Sequence, residues 1–250
     1  MATGKTNSRH MRLFLDEIDV SGDTRNVGSF GMTYSEIDVS GWSNGVTNFV
    51  LGQPTVMIDG FQSVFNNTAT TGSHVELSAQ EEYNASLMIG IRGAPAAGDP
   101  CFAATLQQSS YTMAGEGALI TGISLSGPGQ AQLVSNSRTI NNCWGQILDP
   151  GTALTSTTNG TTVDGGAATT GGLVTYSHVT ASSGGTWAYQ VQHSTDGSTW
   201  VVLGNLDDDG SSTGSNFHRT GASDTVNRYL RIVSTRTSGT CTLAVTAVRQ

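Results

Sequence analysis

The stretch Glu17-Ile-Asp-Val-Ser-Gly22 recurs unchanged as Glu36-Ile-Asp-Val-Ser-Gly41, at an offset of 36 − 17 = 19 residues. Each copy alternates apolar and polar residues and then stops at Ser-Gly, which is typical of a half-buried strand that runs into a turn. The repeat therefore predicts successive β-hairpin edges. Neither copy carries a recognisable catalytic pattern, so the repeat indicates a scaffold.

The composition favours a turn-rich β protein. A chain of 250 residues is long enough for one large all-β domain, or two smaller ones, with a substantial core. Charged residues make up only 12% of the chain, about half of the usual share of roughly 25%. With 32 glycines and few charges, the surface must be built mainly from Ser, Thr, Asn and Gln. Such a surface suits packing against copies of itself, because few charges need to be desolvated on association.

The charge balance argues against a protein that binds phosphate backbones. The formal net charge is −8 and the sequence pI is about 4.9, whereas nucleic-acid binders present clustered basic residues. A surface past which DNA slides without binding would favour this negative sign.

Cysteine usage and hydropathy set further limits. Cys101, Cys143 and Cys241 form an odd set with no close pair, which fits neither a zinc site nor a disulfide framework, so we predict three buried thiols. Residues 1–12 have no apolar segment, and no stretch approaches the roughly 20 apolar residues of a membrane span. We expect a soluble protein that is made in the cytoplasm, with no membrane partner.

The chain divides into four parts by pattern. We predict a flexible arm at 1–10 that becomes ordered on assembly, a β domain at 11–150, a Gly/Thr/Ser-rich linker or loop at 151–172 and a β-sandwich-like domain at 173–250. Strands are predicted at 11–20, 26–34, 36–40, 46–51, 54–65, 101–114, 117–126, 130–148, 173–180, 186–194, 199–204, 216–221, 227–234 and 240–248.

One helix is predicted at about 79–90. Ser78 and Glu81 have the spacing of a capping box, and Ala79, Tyr83 and Leu87 follow at i, i+4 and i+8. The predicted fold class is therefore all-β, with a β-sandwich or barrel flanked by one helix and followed by a second β-sandwich-like region.

Patterns that carry chemistry are missing. The five histidines are dispersed without a metal-ligand spacing, and no Gly-x-Ser-x-Gly elbow is present. The adjacent Glu81 and Glu82 would point to different sides of a helix, unlike an acid/base pair. We predict no catalytic residue, no cofactor and no metal.

The N-terminal stretch resembles the tail tube and related virion proteins of long-tailed bacteriophages. The residues that carry the resemblance are Leu13-Phe-Leu-Asp-Glu-Ile-Asp-Val-Ser-Gly22, Ile37-Asp-Val-Ser-Gly-Trp-Ser-Asn-Gly45 and Val56-Met-Ile-Asp-Gly-Phe61. The glycine that follows the aromatic residue in that pattern is delayed here to Gly45. The resemblance covers about the first 100 residues.

This resemblance implies a β-barrel or sandwich flanked by one helix, and rings that stack into a hollow tube around a DNA channel. The implied partners are other copies of the chain and other virion proteins, in a virion assembled in the host cytoplasm, while the genome passes without specific binding. The 66–77 stretch is the best-placed loop for joining neighbours. The candidate assembly contacts are Arg12, Asn66, Asn67, Thr68, Thr70 and His74. Two alternatives remain open: a capsid decoration protein and a glycan-binding adhesion module of the virion.

The C-terminal part is similar to discoidin-like β-sandwiches. The similarity lies in Val191-Gln-His-Ser-Thr-Asp-Gly-Ser-Thr-Trp200 and Arg228-Tyr-Leu-Arg-Ile232, and it implies a sandwich fold more than sugar binding. Trp187 and Trp200 could form an aromatic sugar platform, although core or interface packing is the favoured interpretation.

Overall fold

The computed structural model describes residues 8–40, 48–69, 71–79, 82–115, 119–128, 143–206 and 210–249. Strands dominate these residues, so the predicted all-β class is confirmed. The first half contains 3₁₀ turns at Ser8–His10 and Val20–Gly22 and one helix, α1, at Ser73–Leu77. Its strands are β1 (Met11–Leu15), β2 (Ile18–Asp19), β3 (Thr24–Asn26), β4 (Ser29–Asp38), β5 (Phe49–Val64), β6 (Glu82–Ile89), β7 (Pro100–Ala114) and β8 (Leu119–Pro128).

The second half consists of strands and turns. Its strands are β9 (Trp144–Leu154), β10 (Thr158–Asn159), β11 (Val163–Asp164), β12 (Thr169–Thr170), β13 (Leu173–Ser182), β14 (Trp187–Ser194), β15 (Val201–Leu206), β16 (Gly214–Arg219), β17 (Thr225–Val226), β18 (Tyr229–Arg236) and β19 (Cys241–Arg249).

A single antiparallel sheet runs through both halves, in the order β16-β13-β19-β9-β7-β6-β1-β2. The sheet divides at β7. One edge of β7 pairs with β6, and the other edge pairs with β9 at residues 100–102 and with β8 from residue 107 to residue 114. Beyond β8 the sheet continues to β5, which pairs with both β3 and β4.

Each half buries its own apolar core. In the first half, β1, β6 and β7 pack against β5 and β8, with Leu13, Phe61 and Leu106 among the fully buried side chains. In the second half, the sheet β16-β13-β19-β9 faces the sheet β10-β18-β14-β15, and Trp187 and Leu243 lie between them. Two sheets that face each other over a shared core form a β-sandwich.

The two halves also contact each other through the outer face of the long sheet. Phe14 and Met88 from the first half pack with Ile147 and Ala244 from the second. The side chain of Arg12 crosses the same boundary, where it donates to the Pro150 carbonyl and pairs with Asp19.

The prediction of a helix at about 79–90 is wrong. Residues Glu82–Ile89 form strand β6, and the helix lies earlier, at Ser73–Leu77. Tyr83 and Leu87 are buried together with Ala85 between them. A spacing of four residues is also a multiple of the strand period of two, so these apolar positions fit a strand as well as a helix.

The segment 151–172, predicted as a linker or loop, contains short strands. It contains the end of β9 together with β10, β11 and β12, and the last three pair with β18 and β17. Leu154 and Val163 are buried in the second core.

The predicted flexible arm at 1–10 is too long, because Ser8–His10 form a 3₁₀ turn in which the His10 carbonyl accepts a hydrogen bond from the Gly90 backbone N–H. Residues 1–7 lie outside the described residues.

Candidate assembly surface

The β4–β5 hairpin projects from the first core into solvent. At its base, Val56, Ile58 and Phe61 of β5 are fully buried. Towards its tip, every described side chain from Thr33 to Ser40 and from Asn48 to Leu51 is exposed. Both faces of the outer part of the hairpin are therefore exposed. This is unusual, because a β-sheet normally buries at least one face.

The exposed tip is rich in large apolar side chains. The exposed fractions are 57% for Phe49, 51% for Val50 and 64% for Leu51, and on the facing strand they are 52% for Ile37 and 50% for the adjoining Val39. Isolated exposed apolar residues are normal on protein surfaces, whereas contiguous ones mark interaction sites. This hairpin is therefore the strongest candidate for a contact surface among the described residues.

The strand register gives the two faces of the tip different chemistry. Glu36 pairs with Leu51, and Asp38 pairs with Phe49. Directly opposed residues of an antiparallel pair share a face, and so do residues two apart along a strand. One face, which we call the acidic face, therefore carries Glu36, Asp38, Phe49 and Leu51. The other face carries the Ile37–Val50 pair.

The hairpin also has an unpaired strand edge among the described residues. β4 pairs only with β5, and β8 accompanies β5 only from the Thr55–Pro128 pair onwards. Among the described residues, the outer edge of β4 therefore has no strand partner, and its backbone groups could join a further strand. An unpaired strand edge can pair with a strand of another chain unless the protein protects it.

The repeated motif of the sequence forms the same local turn in two different settings. The Asp19 side chain accepts a hydrogen bond from the Ser21 backbone N–H at 3.1 Å, and Asp38 accepts one from Ser40 at 2.8 Å. The first copy continues into a 3₁₀ turn in which Val20 is buried, whereas the second lies at the exposed tip. Hydrogen bonds from the Ser40 side chain and backbone lower the pKa of Asp38, so this carboxylate stays ionised at neutral pH.

The contacts predicted from the sequence lie elsewhere and are partly engaged within the chain. The Arg12 guanidinium lies between the halves, as described above. The Asn66 amide donates to the Asp23 carboxylate at 2.9 Å, and its side-chain oxygen accepts from Thr68. The His74 ring packs on Phe65 and bonds the Tyr111 hydroxyl at 2.5 Å. Asn67 is exposed. Thr70 lies outside the described residues.

Sequence analysis missed the hairpin tip. The alternation in β4 and the apolar run Phe49-Val-Leu51 predicted ordinary half-buried strands, which the structure does not provide there. The polar, Gly-containing stretch between the two predicted strands is a sequence signal for a hairpin, but it does not reveal that the described side chains near the tip are exposed.

The aromatic sugar platform is not formed. Trp187 is 2% exposed and stacks on Tyr189 in the second core, with 6.2 Å between the ring centroids. Trp200 is half-buried at the surface, where the Arg231 guanidinium lies 4.2 Å from its ring centroid. Core packing, the favoured interpretation of Trp187, is therefore confirmed.

Other kinds of site find little support in the described residues. The three thiols are free and buried, as predicted, and burial raises the pKa of both Cys101 and Cys143 to about 12. No three His, Cys, Asp or Glu side chains among the described residues lie together as a metal site would require. No helix in the described part of the chain is both long and apolar enough to cross a membrane.

Comparison with known proteins gives a weak structural similarity and no sequence match. The sequence matches no family model and no curated protein. Among solved structures, the chain is similar to the Dit protein of phage SPP1, described as a paradigm of the hub adsorption apparatus in phages that infect Gram-positive bacteria. The two share 12% identity with a TM-score of 0.31, over 95% of this chain and 99% of that one. A similarity of this size establishes neither a common fold nor a common function.

Proposed function

We propose that this chain is a bacteriophage virion structural protein, most specifically the major tail tube subunit, and that it works by self-assembly rather than catalysis. The observation that carries the proposal is the β4–β5 hairpin, whose apolar tip is exposed on both faces. The resemblance of the N-terminal motifs to tail tube proteins indicates the kind of assembly, which is a tube of stacked rings. The neighbouring copies would form rings, and the rings would stack.

The energetics of the hairpin suit assembly. Full burial of one large apolar side chain from a fully exposed state contributes about 1.5–3 kcal/mol, and the tip carries five such side chains, each about half exposed. Together they are comparable with the cost of association, which is about 4–15 kcal/mol. Pairing of the open β4 edge with a strand of another copy would add backbone hydrogen bonds and fix the register.

The charge of the chain suits a DNA channel that does not retain DNA. The net charge is −8, and like charges repel the phosphate backbone. In this proposal the genome passes through the tube without specific contacts, and the other partners are virion proteins at the ends of the tube. The protein would reside in the virion after assembly in the host cytoplasm.

Negative-stain electron microscopy of the purified, concentrated chain tests the proposal. We expect hollow tubes or stacked rings of uniform diameter. Discrete trimers or monomers that add only to capsids would contradict the tube and would identify a decoration protein instead.

A further inference from the structure

A cavity of about 530 Å³ opens beside the base of the hairpin. Its floor is apolar and is built by side chains from β1, β4, β6 and the β3–β4 connection, namely Met11, Leu13, Val27, Phe30 and Leu87. Met11, Val27 and Phe30 are only partly buried there, so the cavity is open to an entering group.

The rim of this cavity is basic. Arg9 and Arg25 both line it and both are exposed, and none of the lining residues is acidic. An apolar floor under a basic rim suits an apolar side chain that is accompanied by a carboxylate, because an exposed guanidinium such as that of Arg25 binds carboxylates with good geometry.

The acidic face of the hairpin tip has that chemistry. Phe49 and Leu51 are exposed apolar side chains, and the carboxylates of Asp38 and Glu36 lie directly opposite them on the facing strand. The tip therefore matches the cavity in both polarity and charge.

The tip cannot fill the cavity of its own chain. Phe30 lines the cavity, whereas Asp38 lies eight residues further along the same extended strand. At about 3.3 Å per residue, the two are separated by roughly 26 Å. A hairpin tip that fills this cavity must therefore come from a second copy.

We propose that the acidic face of one copy's hairpin docks into the Arg9–Arg25 cavity of the next copy. This proposal rests on the proposed function, since it names the contact by which the copies assemble. The contact joins two different surfaces, so it repeats head to tail and generates a ring or an open filament.

Cysteine crosslinking tests the docking directly. The three native thiols are buried, so introduced surface cysteines are the reactive ones. A Leu51→Cys variant is mixed with an Asn26→Cys variant, in which Asn26 lines the cavity, and the mixture is oxidised mildly. The matched control replaces Leu51→Cys with Val50→Cys, which lies on the opposite face of the tip. We expect a disulfide-linked heterodimer with Leu51→Cys at a yield at least fivefold above that of the control.

Sedimentation of the same mixtures distinguishes the possible failures. Assembly without the Leu51–Asn26 crosslink, or with equal yields from both tip positions, would overturn the docking and leave hairpin-mediated assembly standing. A chain that stays monomeric at all concentrations would overturn the proposed function and the docking together.

Charge reversal gives an independent test. Arg25→Glu should raise the concentration needed for assembly at least tenfold, and adding Glu36→Arg in the same chain should restore assembly. Arg236→Glu makes the same change in net charge at an exposed site in the second half and should have no effect. Unchanged assembly of Arg25→Glu, or no restoration by the second change, would overturn the charge pairing.

Discussion

The imidazole of His178 in β13 and the hydroxyl of Ser86 in β6 are joined by a hydrogen bond of 2.8 Å between Nε2 and Oγ, although the residues are 92 positions apart. On the other side of the ring, Nδ1 lies 2.7 Å from the Asp16 carbonyl, which can only accept. Nδ1 therefore carries the proton, and Nε2 accepts from Ser86. The Ser86 hydroxyl also bonds Thr246 at 2.9 Å, so one buried network ties the two halves together.

This network predicts a loss of stability in mild acid. Burial lowers the pKa of His178 to about 4 from 6.5, so the unfolded chain binds a proton on this residue at a higher pH than the folded chain. The stabilisation by the neutral, buried His178 is complete above pH 6.5. It is lost as the pH falls towards 4, which lowers the free energy of unfolding by about 3 kcal/mol. Urea unfolding at pH 7, 6, 5 and 4 measures this loss.

The variant His178→Gln isolates the histidine from the other titrating groups. Its free energy of unfolding should be lower than that of the natural chain at pH 7, and the difference should shrink towards pH 4. Parallel pH profiles for the two proteins would show that His178 does not titrate with the predicted shift.

Replacing Trp187 with Ala should lower the stability of the protein much more than replacing Trp200 with Ala. Trp187 lies in the second core, so Trp187→Ala should lower the free energy of unfolding by about 3–5 kcal/mol. Trp200 packs under Arg231 at the surface, and Trp200→Ala should cost less than about 1 kcal/mol. Denaturant unfolding compares the two, and equal losses would contradict the different placement of the two rings.

The two copies of the repeat should respond differently to the same substitution. Asp19 accepts hydrogen bonds from both Arg12 and Ser21, so Asp19→Ala should cost about 1–3 kcal/mol in the free energy of unfolding. Asp38 holds the turn at the exposed tip, and Asp38→Ala should leave the unfolding midpoint unchanged while weakening assembly. Thermal unfolding and sedimentation of the two variants check this, and a destabilised Asp38→Ala protein would argue against an exposed tip.

The three cysteines should be unreactive in the folded protein. Burial raises the pKa of Cys101 and of Cys143 to about 12, and the thiolate is the reactive form. A thiol reagent at neutral pH should label none of them in the native chain and all three after unfolding in denaturant. Rapid labelling of the native protein would contradict this burial.

Much of the architecture could be predicted from local pattern. The alternation at Ala188-Tyr-Gln-Val-Gln-His-Ser194 predicted β14, and the Asp196-Gly197 turn that follows it lies before β15. β10 and β11 could not be predicted, because these two-residue strands exist only through pairing with β18, more than 60 residues away. Such long-range pairing overrides the Gly-rich composition of the segment that contains them.

The candidate site was harder to predict than the fold. Apolar alternation indicates burial but does not say whether the same chain or another copy provides the cover. Phe49, Val50 and Leu51 have the pattern of core residues, yet the chain leaves them exposed. Likewise, Asn66 and His74 were predicted to lie in a loop that joins neighbours, but His74 lies in α1, and the two side chains bond Asp23 and Tyr111 within the chain.

Sedimentation velocity of a hairpin variant tests the central claim most directly. The variant combines Phe49→Ser, Val50→Ser and Leu51→Ser, and the matched control is Val201→Ser with Val202→Ser, two exposed valines in the second half. We predict that the natural chain and the control form large assemblies, whereas the hairpin variant sediments as a folded monomer with an unchanged circular dichroism spectrum. Assembly of the folded hairpin variant to the same size as the natural chain would contradict the account.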